Sequence, residues 1–281
     1  MLVKPYRRTR IRLATLVAVA ALAAVGAATR FTGTANASGS GAHPGPIVVL
    51  KAGQSSNWFG YNQGLLEKGA PFNQVAGDWN VPTAGHRSGG GDEFSATWVG
   101  IGGGCLDTAC TLTDSTLIQT GTSQDVTASG AVSYTAWWEV IPAPSLTITS
   151  MTVGAGDHMH ADIRQLVPEV WVITISDVTR GETFTQTVPY TSTFATAEWI
   201  EEAPTVIGSS GTGLAALPNL STTTFDLAQV NNASAGLNAA EQIQLIDSSG
   251  HVIGAPSAPD GDSDGFNACA NAASCGAPSG S

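Results

Sequence analysis

The sequence predicts an all-β fold. From Asn57 to about Gly254 the chain is a series of short runs of β-branched and aromatic residues, separated by Gly, Pro, Asn and Asp, and such runs are typical of β-strands. Hardly any segment shows the apolar repeat of an amphipathic helix. The roughly 240 residues after Ala37 are enough to bury one sizeable core, and all-β sandwiches of that size are commonly single domains.

The first 37 residues have the pattern of a secretory signal peptide. Five basic residues precede an apolar run from Leu13 to about Ala28, and small residues ending in Ala37 follow it. We predict cleavage after Ala37 and a secreted, extracellular location for the mature protein. No later segment of the sequence is apolar and long enough to span a bilayer.

The mature chain is strongly acidic. Residues 38–281 carry five Lys and Arg against all 22 Asp and Glu, a net charge of −17 with neutral histidine. Such a chain repels nucleic acid and anionic membranes, so we expect neither as a partner. An acidic balance suits a protein that works in acid, where protonation relieves the self-repulsion, but solubility alone explains it equally well.

Composition divides the chain into four parts. Residues 1–37 are the predicted signal peptide, and residues 38–54, rich in Gly, Ser and Pro, are expected to form a flexible segment or a short pro-region. Residues 55–254 form the predicted β-domain, and residues 255–281 form a tail rich in Gly, Ser and Ala. We find no internal repeat and expect a monomer.

Four cysteines fall into two close pairs, Cys105 with Cys110 and Cys269 with Cys275. In an oxidising compartment this spacing predicts two local disulfides, although four cysteines allow three connectivities, and metal ligation by the thiolates is a less favoured alternative. Disulfides that close such small loops hold a loop or a tail more than a core.

Two predicted strands alternate clearly enough to assign their faces. In residues 133–141 one face is apolar, and the other carries Trp137 and Glu139, as the floor of a cleft would. In residues 157–166 apolar residues alternate with charged ones, which predicts a half-solvated strand. The other predicted strands are residues 73–81, 96–101, 115–121, 170–177, 182–188, 195–200 and 222–230, with a hairpin turn at 179–181.

Several known catalytic, phosphate-binding and metal-binding motifs are missing or incomplete. The sequence has no G-x-S-x-G or H-E-x-x-H motif, and its glycine-rich run 100–104 does not lead into a helix, which argues against a phosphate site. His158 and His160 could grip a metal from one strand face, but no third ligand lies near them in sequence. Residues 260–265 resemble the start of a calcium loop, but Asn271 stands where a bidentate Glu belongs, so an acidic surface turn is favoured. We predict neither a metal nor a cofactor.

Two polar residues stand in apolar strands. Gln119, in the strand STLIQTG, is either a satisfied polar residue at a strand end or a donor that stabilises an oxyanion, since an amide never titrates. Glu198 lies between Ala197 and Trp199, and apolar surroundings raise the pKa of a carboxyl group. A raised pKa makes a carboxylate a usable general base in acid.

Six fragments carry a family resemblance. SSNWFG, WNVPT, ATWVGIGG, LIQTG, YTAWWEVIP and AEWIEE occur in this order, and together they resemble the glutamic peptidases of the eqolisin family. The resemblance runs from about Ser55 to Asn231. It implies a β-sandwich of two packed antiparallel sheets, of the concanavalin A-like or jelly-roll type, with a substrate groove across it.

The resemblance also implies a catalytic dyad, formed here by Gln119 and Glu198. Glu198 would activate a water that attacks the peptide carbonyl and would return the proton to the leaving amine, while Gln119 would stabilise the tetrahedral oxyanion. The implied activity is that of a secreted, acid-acting endopeptidase with a polypeptide substrate. The residues that match family positions near the dyad, and are expected to support it or line the groove, are Glu139, Trp137, Trp98 and Trp58.

Two departures from the family leave the pH optimum open. Gly102 and Thr135 stand where fungal members have Asp. Their loss removes like charge that would raise the pKa of Glu198, so a strongly acidic optimum is not simply inherited. We predict activity on the acid side, at less extreme pH than in the fungal enzymes.

Two rival functions fit parts of the pattern. A carbohydrate-binding or glycoside-hydrolysing sandwich would use Glu139 and Glu198 as its carboxylate pair and the tryptophans as sugar platforms. A non-catalytic secreted binding protein would keep the sandwich without turnover, which the changes at Gly102 and Thr135 allow.

Overall fold

The structure, a computed structural model, describes residues 42–87, 90–208 and 211–279, so the predicted signal peptide lies outside it. The described residues are almost entirely β, with one short helix, α1 (Leu65–Lys68), and a 3₁₀ turn at Ala239–Glu241. None of the helices in these ranges is long and apolar enough to cross a membrane. The strands are β1 (Ala42–His43), β2 (Val49–Lys51), β3 (Gln54–Ser55), β4 (Trp58–Gly64), β5 (Gln74–Asn80), β6 (Ala84–Gly85), β7 (Glu93–Gly102), β8 (Leu117–Val126), β9 (Val132–Val140), β10 (Leu146–Thr147), β11 (His158–Val167), β12 (Val170–Asp177), β13 (Glu182–Pro189), β14 (Thr196–Glu202), β15 (Thr205–Gly208), β16 (Gly211–Leu214), β17 (Asn219–Leu220), β18 (Thr223–Val230), β19 (Ala233–Ser234), β20 (Gln242–Ile246), β21 (Val252–Pro256) and β22 (Phe266–Ala270).

Two antiparallel sheets pack face to face. The front sheet has the order β10-β9-β8-β7-β14-β4, and the back sheet has the order β13-β12-β11-β5-β18-β22-β21. Strand β20 pairs with β4 and with β21, so the two sheets share one edge. The predicted all-β sandwich of two packed antiparallel sheets is confirmed, with one short parallel pairing between β3 and β20.

The core lies between the two sheets and is rich in aromatic residues. Trp199 of the front sheet reaches the back sheet, where its Nε1 donates to the main-chain oxygen of Ala76 at 2.8 Å. Gly77 makes room for this contact, because a Cβ there would lie 2.8 Å from the Trp199 ring. Burial of one such side chain contributes about 1.5–3 kcal/mol, so this core supplies much of the driving force for folding.

The faces predicted for two strands are confirmed. Ala136 of β9 is buried in the core and Trp138 packs against it, while Trp137 and Glu139 lie on the opposite face. In β11 Met159, Ala161 and Ile163 are fully buried and His158 is exposed. A two-residue period was therefore enough to place these side chains, because each strand has one face on the core.

Strands also occur where the sequence predicts a flexible segment and a tail. Residues 42–55 contain β1, β2 and β3, and β22 of the C-terminal part joins the back sheet. Phe266 of β22 is fully buried and stacks on Phe225, with ring centroids 4.8 Å apart. Small residues surround this one large apolar side chain in sequence, so the strand leaves little periodic signal.

Both predicted disulfides, Cys105–Cys110 and Cys269–Cys275, are present. The first closes the loop that follows β7, and the second joins Cys269 within β22 to Cys275 in the residues after that strand. The described residues contain no free cysteine. The Cys105–Cys110 loop lies against the front sheet, where Asn62 of β4 bonds to Cys105.

A buried carboxylate on the outer face of the back sheet holds the two histidines of β11. Asp78 Oδ2 lies 2.6 Å from His158 Nε2, and Asp78 Oδ1 lies 2.5 Å from His160 Nδ1. The hydrogen bond to Asp78 raises the pKa of His160 above its ordinary 6.5. The stability that protonated His160 contributes is therefore complete below that value and is lost as the pH rises through the raised pKa.

We expect His160→Asn to lower the melting temperature more at pH 5 than at pH 8, because protonated His160 gains more from Asp78 than neutral His160 does. The measurement is thermal unfolding of both proteins across this range. His251→Asn serves as the control, since His251 is highly exposed and its loss should change the melting temperature little. A difference for His160→Asn that is constant with pH would contradict the assignment.

Candidate active site

Five residues form a row across the front sheet. The strand register places them side by side on neighbouring strands, with the face of each set by the alternation that buries Trp199 in the core on the other side. The row therefore lies on the face of the front sheet that points away from the core. In spatial order it contains Glu139 (β9), Gln119 (β8), Gly100 (β7), Glu198 (β14) and Asn62 (β4).

The centre of the row is a glycine. A Cβ at Gly100 would lie 2.9 Å from the Trp98 ring and 3.2 Å from Gln119 Cβ, so a side chain would fill the space between the predicted dyad residues. Gln119 and Glu198 are two strands apart, which is about 10 Å between their backbones. Glycine at the central position keeps the space between the strands of Gln119 and Glu198 free of a further side chain.

The amide of Gln119 is oriented by its neighbour in the row. Gln119 Nε2 donates to Glu139 Oε2 at 2.7 Å, and a carboxyl oxygen that accepts this bond fixes which end of the amide faces it. The second N–H of the same group remains for another acceptor, and Gln119 Oε1 has no partner within the described ranges. Burial raises the pKa of Glu139 to about 7, opposed by the hydrogen bond from Gln119.

Glu198 is a fully buried carboxyl group. Neither of its oxygens has a hydrogen-bond partner in the part of the chain that the structure describes. Burial raises the pKa of Glu198 well above its ordinary value; the nearby Thr196 hydroxyl opposes the increase, and the charge of Asp114 adds to it. Such a group gains and releases protons at a pH where an exposed glutamate stays ionised.

The loop after β7 closes over Glu198. A Cβ at Gly104 would lie 2.5 Å from Glu198 Oε1, so the loop main chain sits directly against the carboxyl group. Asn62, the last residue of the row, holds this loop, because it accepts from Cys105 N at 2.7 Å and donates to Cys105 O at 2.8 Å. The glycine-rich run 100–104, which the sequence argued against as a phosphate site, therefore lies beside Gln119 and Glu198.

Asp114 lies beside Gly102. Gly102 has φ = 97°, and a Cβ there would lie 2.0 Å from Thr116 O, so the position admits no side chain. Asp114 Oδ2 lies 3.1 Å from that same Cβ position, and Asp114 is buried, accepting from Thr116 N at 2.9 Å. The sequence did not predict Asp114 as a site residue, because an Asp in a Thr-rich loop is typical of an ordinary turn.

We expect Asp114→Asn to move the acid limb of the pH–rate profile to lower pH, because removal of a like charge lowers the pKa of Glu198. The measurement is kcat/KM against pH for both proteins. Asp247, which is partly exposed and pairs with His251, provides the control variant, Asp247→Asn, whose acid limb should coincide with that of the wild type. An unchanged limb in Asp114→Asn would show that its charge does not reach Glu198.

Two further rows carry the predicted tryptophans. The row next to the dyad contains Trp137, Trp98 and Ile200, and the following one contains Trp58 and Glu202. Trp58 and Trp98 meet edge to face, with ring centroids 4.9 Å apart. Glu202, which the sequence analysis did not single out, accepts from Trp98 Nε1 at 2.9 Å. All five of these side chains are buried.

The acidic turn at 260–265 lies away from this face, at β18 and β22. Carboxylate oxygens of Asp226, Asp260 and Asp264 lie within 4.8 Å of one another. The histidines of β11 are engaged by Asp78 on the back sheet. Neither cluster adjoins the row of the front sheet, so neither enters the chemistry considered for it.

The fold and the row define a β-sandwich protein with a buried amide and carboxyl pair suited to acid–base chemistry. The chain belongs to the peptidase A4 family, whose family model matches residues 56–263, and the predicted eqolisin resemblance is confirmed. Scytalidopepsin B of Scytalidium lignicola is 28% identical over 136 residues, which are 48% of this chain and 45% of the relative. That match therefore spans less than half of the relative's length.

Two solved structures share the sandwich. A scytalido-glutamic peptidase with a transition-state analogue inhibitor matches with a TM-score of 0.56 at 21% identity, covering 76% of this chain and 98% of that one. SCP-B, a member of the eqolisin family, in complex with the tripeptide Ala-Ile-His, matches with a TM-score of 0.54 at 19% identity and the same coverage. At these identities the likeness shows the fold.

Proposed function

We propose that the chain is a secreted, acid-acting endopeptidase whose catalytic pair is Gln119 and Glu198. One observation carries the proposal: the register of the front sheet sets an amide and a buried carboxyl group on either side of Gly100. The amide is a permanent hydrogen-bond donor, and the carboxyl group has a raised pKa. Together they supply the two functions that peptide hydrolysis requires, oxyanion stabilisation and proton transfer.

In the proposed reaction the ionised Glu198 takes a proton from a water held between the pair. The water oxygen bonds to the scissile carbonyl carbon, and the electron pair of the C=O bond moves to the oxygen, where the free N–H of Gln119 stabilises it. Protonated Glu198 then gives its proton to the amine nitrogen as the C–N bond breaks. One carboxyl group serves as base and then as acid, so a pKa in the working pH range suits both steps.

Family membership and the relatives support a polypeptide substrate. The solved relatives were captured with a transition-state analogue inhibitor and with a tripeptide. Two disulfides fit an oxidising, extracellular compartment. The mechanism uses only protons, water and side chains, and we propose a monomeric enzyme without metal or cofactor.

The glycoside-hydrolase alternative is disfavoured by what stands between its two carboxyl groups. Gln119 and Gly100 separate Glu139 from Glu198 in the row. Glu139 is also engaged with Gln119. The pair available for chemistry is therefore the amide and Glu198.

The direct test is hydrolysis of an unfolded protein from about pH 2 to 7, with an inhibitor of aspartic peptidases present. We expect internal peptide bonds to be cut on the acid side, detected by mass spectrometry of the products. A folded protein that cuts no peptide bond at any pH, even after residues up to Lys51 have been cut off and removed, would contradict the proposal.

A further inference from the structure

We propose that the face of the front sheet beside the dyad binds an extended peptide by its main chain, and that residues 44–48 of the chain itself fill this groove as an internal ligand. Residues 44–48 are called the covering segment below. The identification of the groove as the substrate site rests on the proposed function, whereas its occupation by the covering segment stands on the contacts that follow.

Six hydrogen bonds hold the covering segment, and all of them involve its main chain. Such contacts are independent of side-chain identity, so a substrate peptide of another sequence can make them as well. They are Gly45 N to Glu202 Oε1 (3.1 Å), Trp58 Nε1 to Gly45 O (2.9 Å), Asn57 Nδ2 to Pro46 O (3.1 Å), Ile47 N to Gly103 O (2.9 Å), Val48 N to Asn57 Oδ1 (2.8 Å) and Ser56 N to Val48 O (3.0 Å).

One side chain of the segment enters an apolar pocket. Ile47 is only 8% exposed, whereas Val48 beside it is 48% exposed. Ile47 belongs to the buried cluster on the outer face of the front sheet, separate from the core between the sheets. Its other members are Trp58, Ala96, Trp98, Cys105, Leu117, Trp137, Ile200 and Ile243. The pocket therefore suits a branched aliphatic side chain in the bound peptide.

The covering segment ends next to the dyad. Ile47 bonds to Gly103, and the following residue, Gly104, packs against Glu198. Trp98 and Ile200 stand two residues from Gly100 and Glu198 along the same strands, so the Ile47 pocket adjoins the dyad row. Both dyad residues are fully buried in this arrangement. The segment is bonded to the loop that covers Glu198, so its departure is expected to free both the Ile47 pocket and this loop for a substrate.

The segment is well suited to compete with substrate. Its two prolines, Pro44 and Pro46, fix their φ angles, so less conformational entropy is lost when it binds. Its covalent connection through β2 gives it an effective concentration on the order of millimolar. Substrate at lower concentration is excluded until that connection is cut or the segment is displaced.

The first test cuts the connection in the full-length mature protein. A recognition site for a sequence-specific protease is inserted after Lys51, in the exposed turn between β2 and β3, and the released peptide is removed by gel filtration. We expect kcat/KM for peptide hydrolysis to rise about tenfold or more after cutting, because dilution replaces the tethered concentration. Equal activity before and after verified loss of the peptide would overturn the inference.

A second variant leaves the chain uncut. Ile47→Asp places a charge in the apolar pocket and should raise the activity of the intact protein by a similar factor. Leu50→Asp is the matched control, because Leu50 is 52% exposed and lies outside the covering segment, so its activity should stay within about twofold of the wild type. Equal effects of the two substitutions would contradict occupation of the pocket by Ile47.

A binding measurement separates this inference from the proposed function. The probe is a synthetic peptide with the sequence of residues 42–50, titrated calorimetrically into the cut protein carrying Glu198→Gln. We expect binding, and at least about tenfold weaker binding of the same peptide with Ile47→Asp. If the peptide binds but the cut protein without the Glu198→Gln substitution hydrolyses no peptide, the groove is supported and the proposed peptidase activity is contradicted. If that protein hydrolyses peptides but this peptide does not bind, the assignment of the groove is contradicted.

Discussion

Glu198→Gln is expected to lower kcat/KM for peptide hydrolysis by about 10²–10⁴-fold, the usual contribution of a general acid–base group. The side chains are nearly equal in size, so the loss reports proton transfer rather than shape. Because burial raises the pKa of Glu198 above its ordinary 4.5, the unfolded chain loses this proton at a lower pH than the folded protein does. The stability of the wild type therefore falls as the pH rises above 4.5. The variant should therefore melt at a higher temperature than the wild type near pH 7 and at a similar temperature near pH 4.

Glu201→Gln is the matched control for this substitution. Glu201 lies on the same strand, is equally buried and also has a raised pKa, of about 7. It faces the other side of β14, where Thr97 and Thr223 donate to it at 2.6 and 3.1 Å. Activity within a few-fold of the wild type is expected. If both substitutions reduced activity equally, loss of a buried charge in β14 would explain the result without a catalytic role for Glu198.

Gln119→Ala is expected to reduce kcat/KM by about 10²–10³-fold, the typical effect of removing one oxyanion donor. Most of the reduction should fall on kcat, because the donor acts on charge that develops in the transition state. The measurement is steady-state kinetics with a defined peptide on the cut protein. An increase in KM with kcat unchanged would instead assign Gln119 to ground-state binding.

Gln119→Glu adds a test of charge at the same position. A neutral carboxyl group can still donate a hydrogen bond, but an ionised one repels the oxyanion. The variant should therefore keep more activity at low pH than at high pH, relative to Gln119→Ala. The second buried glutamine of β8, Gln124, faces the core side and donates to Thr122, so Gln124→Glu should change the pH profile little.

The sequence predicted most strands of the sandwich because each has one face on the core. The alternation in β9 and β11 placed their side chains correctly, and the close spacing of the cysteines predicted both disulfides. The strand β22 was missed because its burial depends on Phe266 meeting Phe225, some 40 residues away in sequence. Local periodicity carries no information about such a contact.

The site was predicted less completely for a similar reason. Gln119 and Glu198 were singled out by motif, but the role of Gly100 between them depends on the register of three strands. Asp114 approaches Glu198 only through the fold of its loop, and Glu202 is hidden in a run of buried carboxylates on β14. The sequence predicted a flexible segment or a short pro-region at residues 38–54, whereas six hydrogen bonds hold the covering segment on the front sheet.

The central claim is that Gln119 and Glu198 act as one unit across Gly100. A double-mutant cycle tests it most directly, with kcat/KM measured for the cut wild type, Gln119→Ala, Glu198→Gln and the double variant. Residues that act together in one transition state are strongly non-additive. We predict that the double variant is hardly slower than Glu198→Gln alone, and losses that simply multiply would contradict a shared catalytic step.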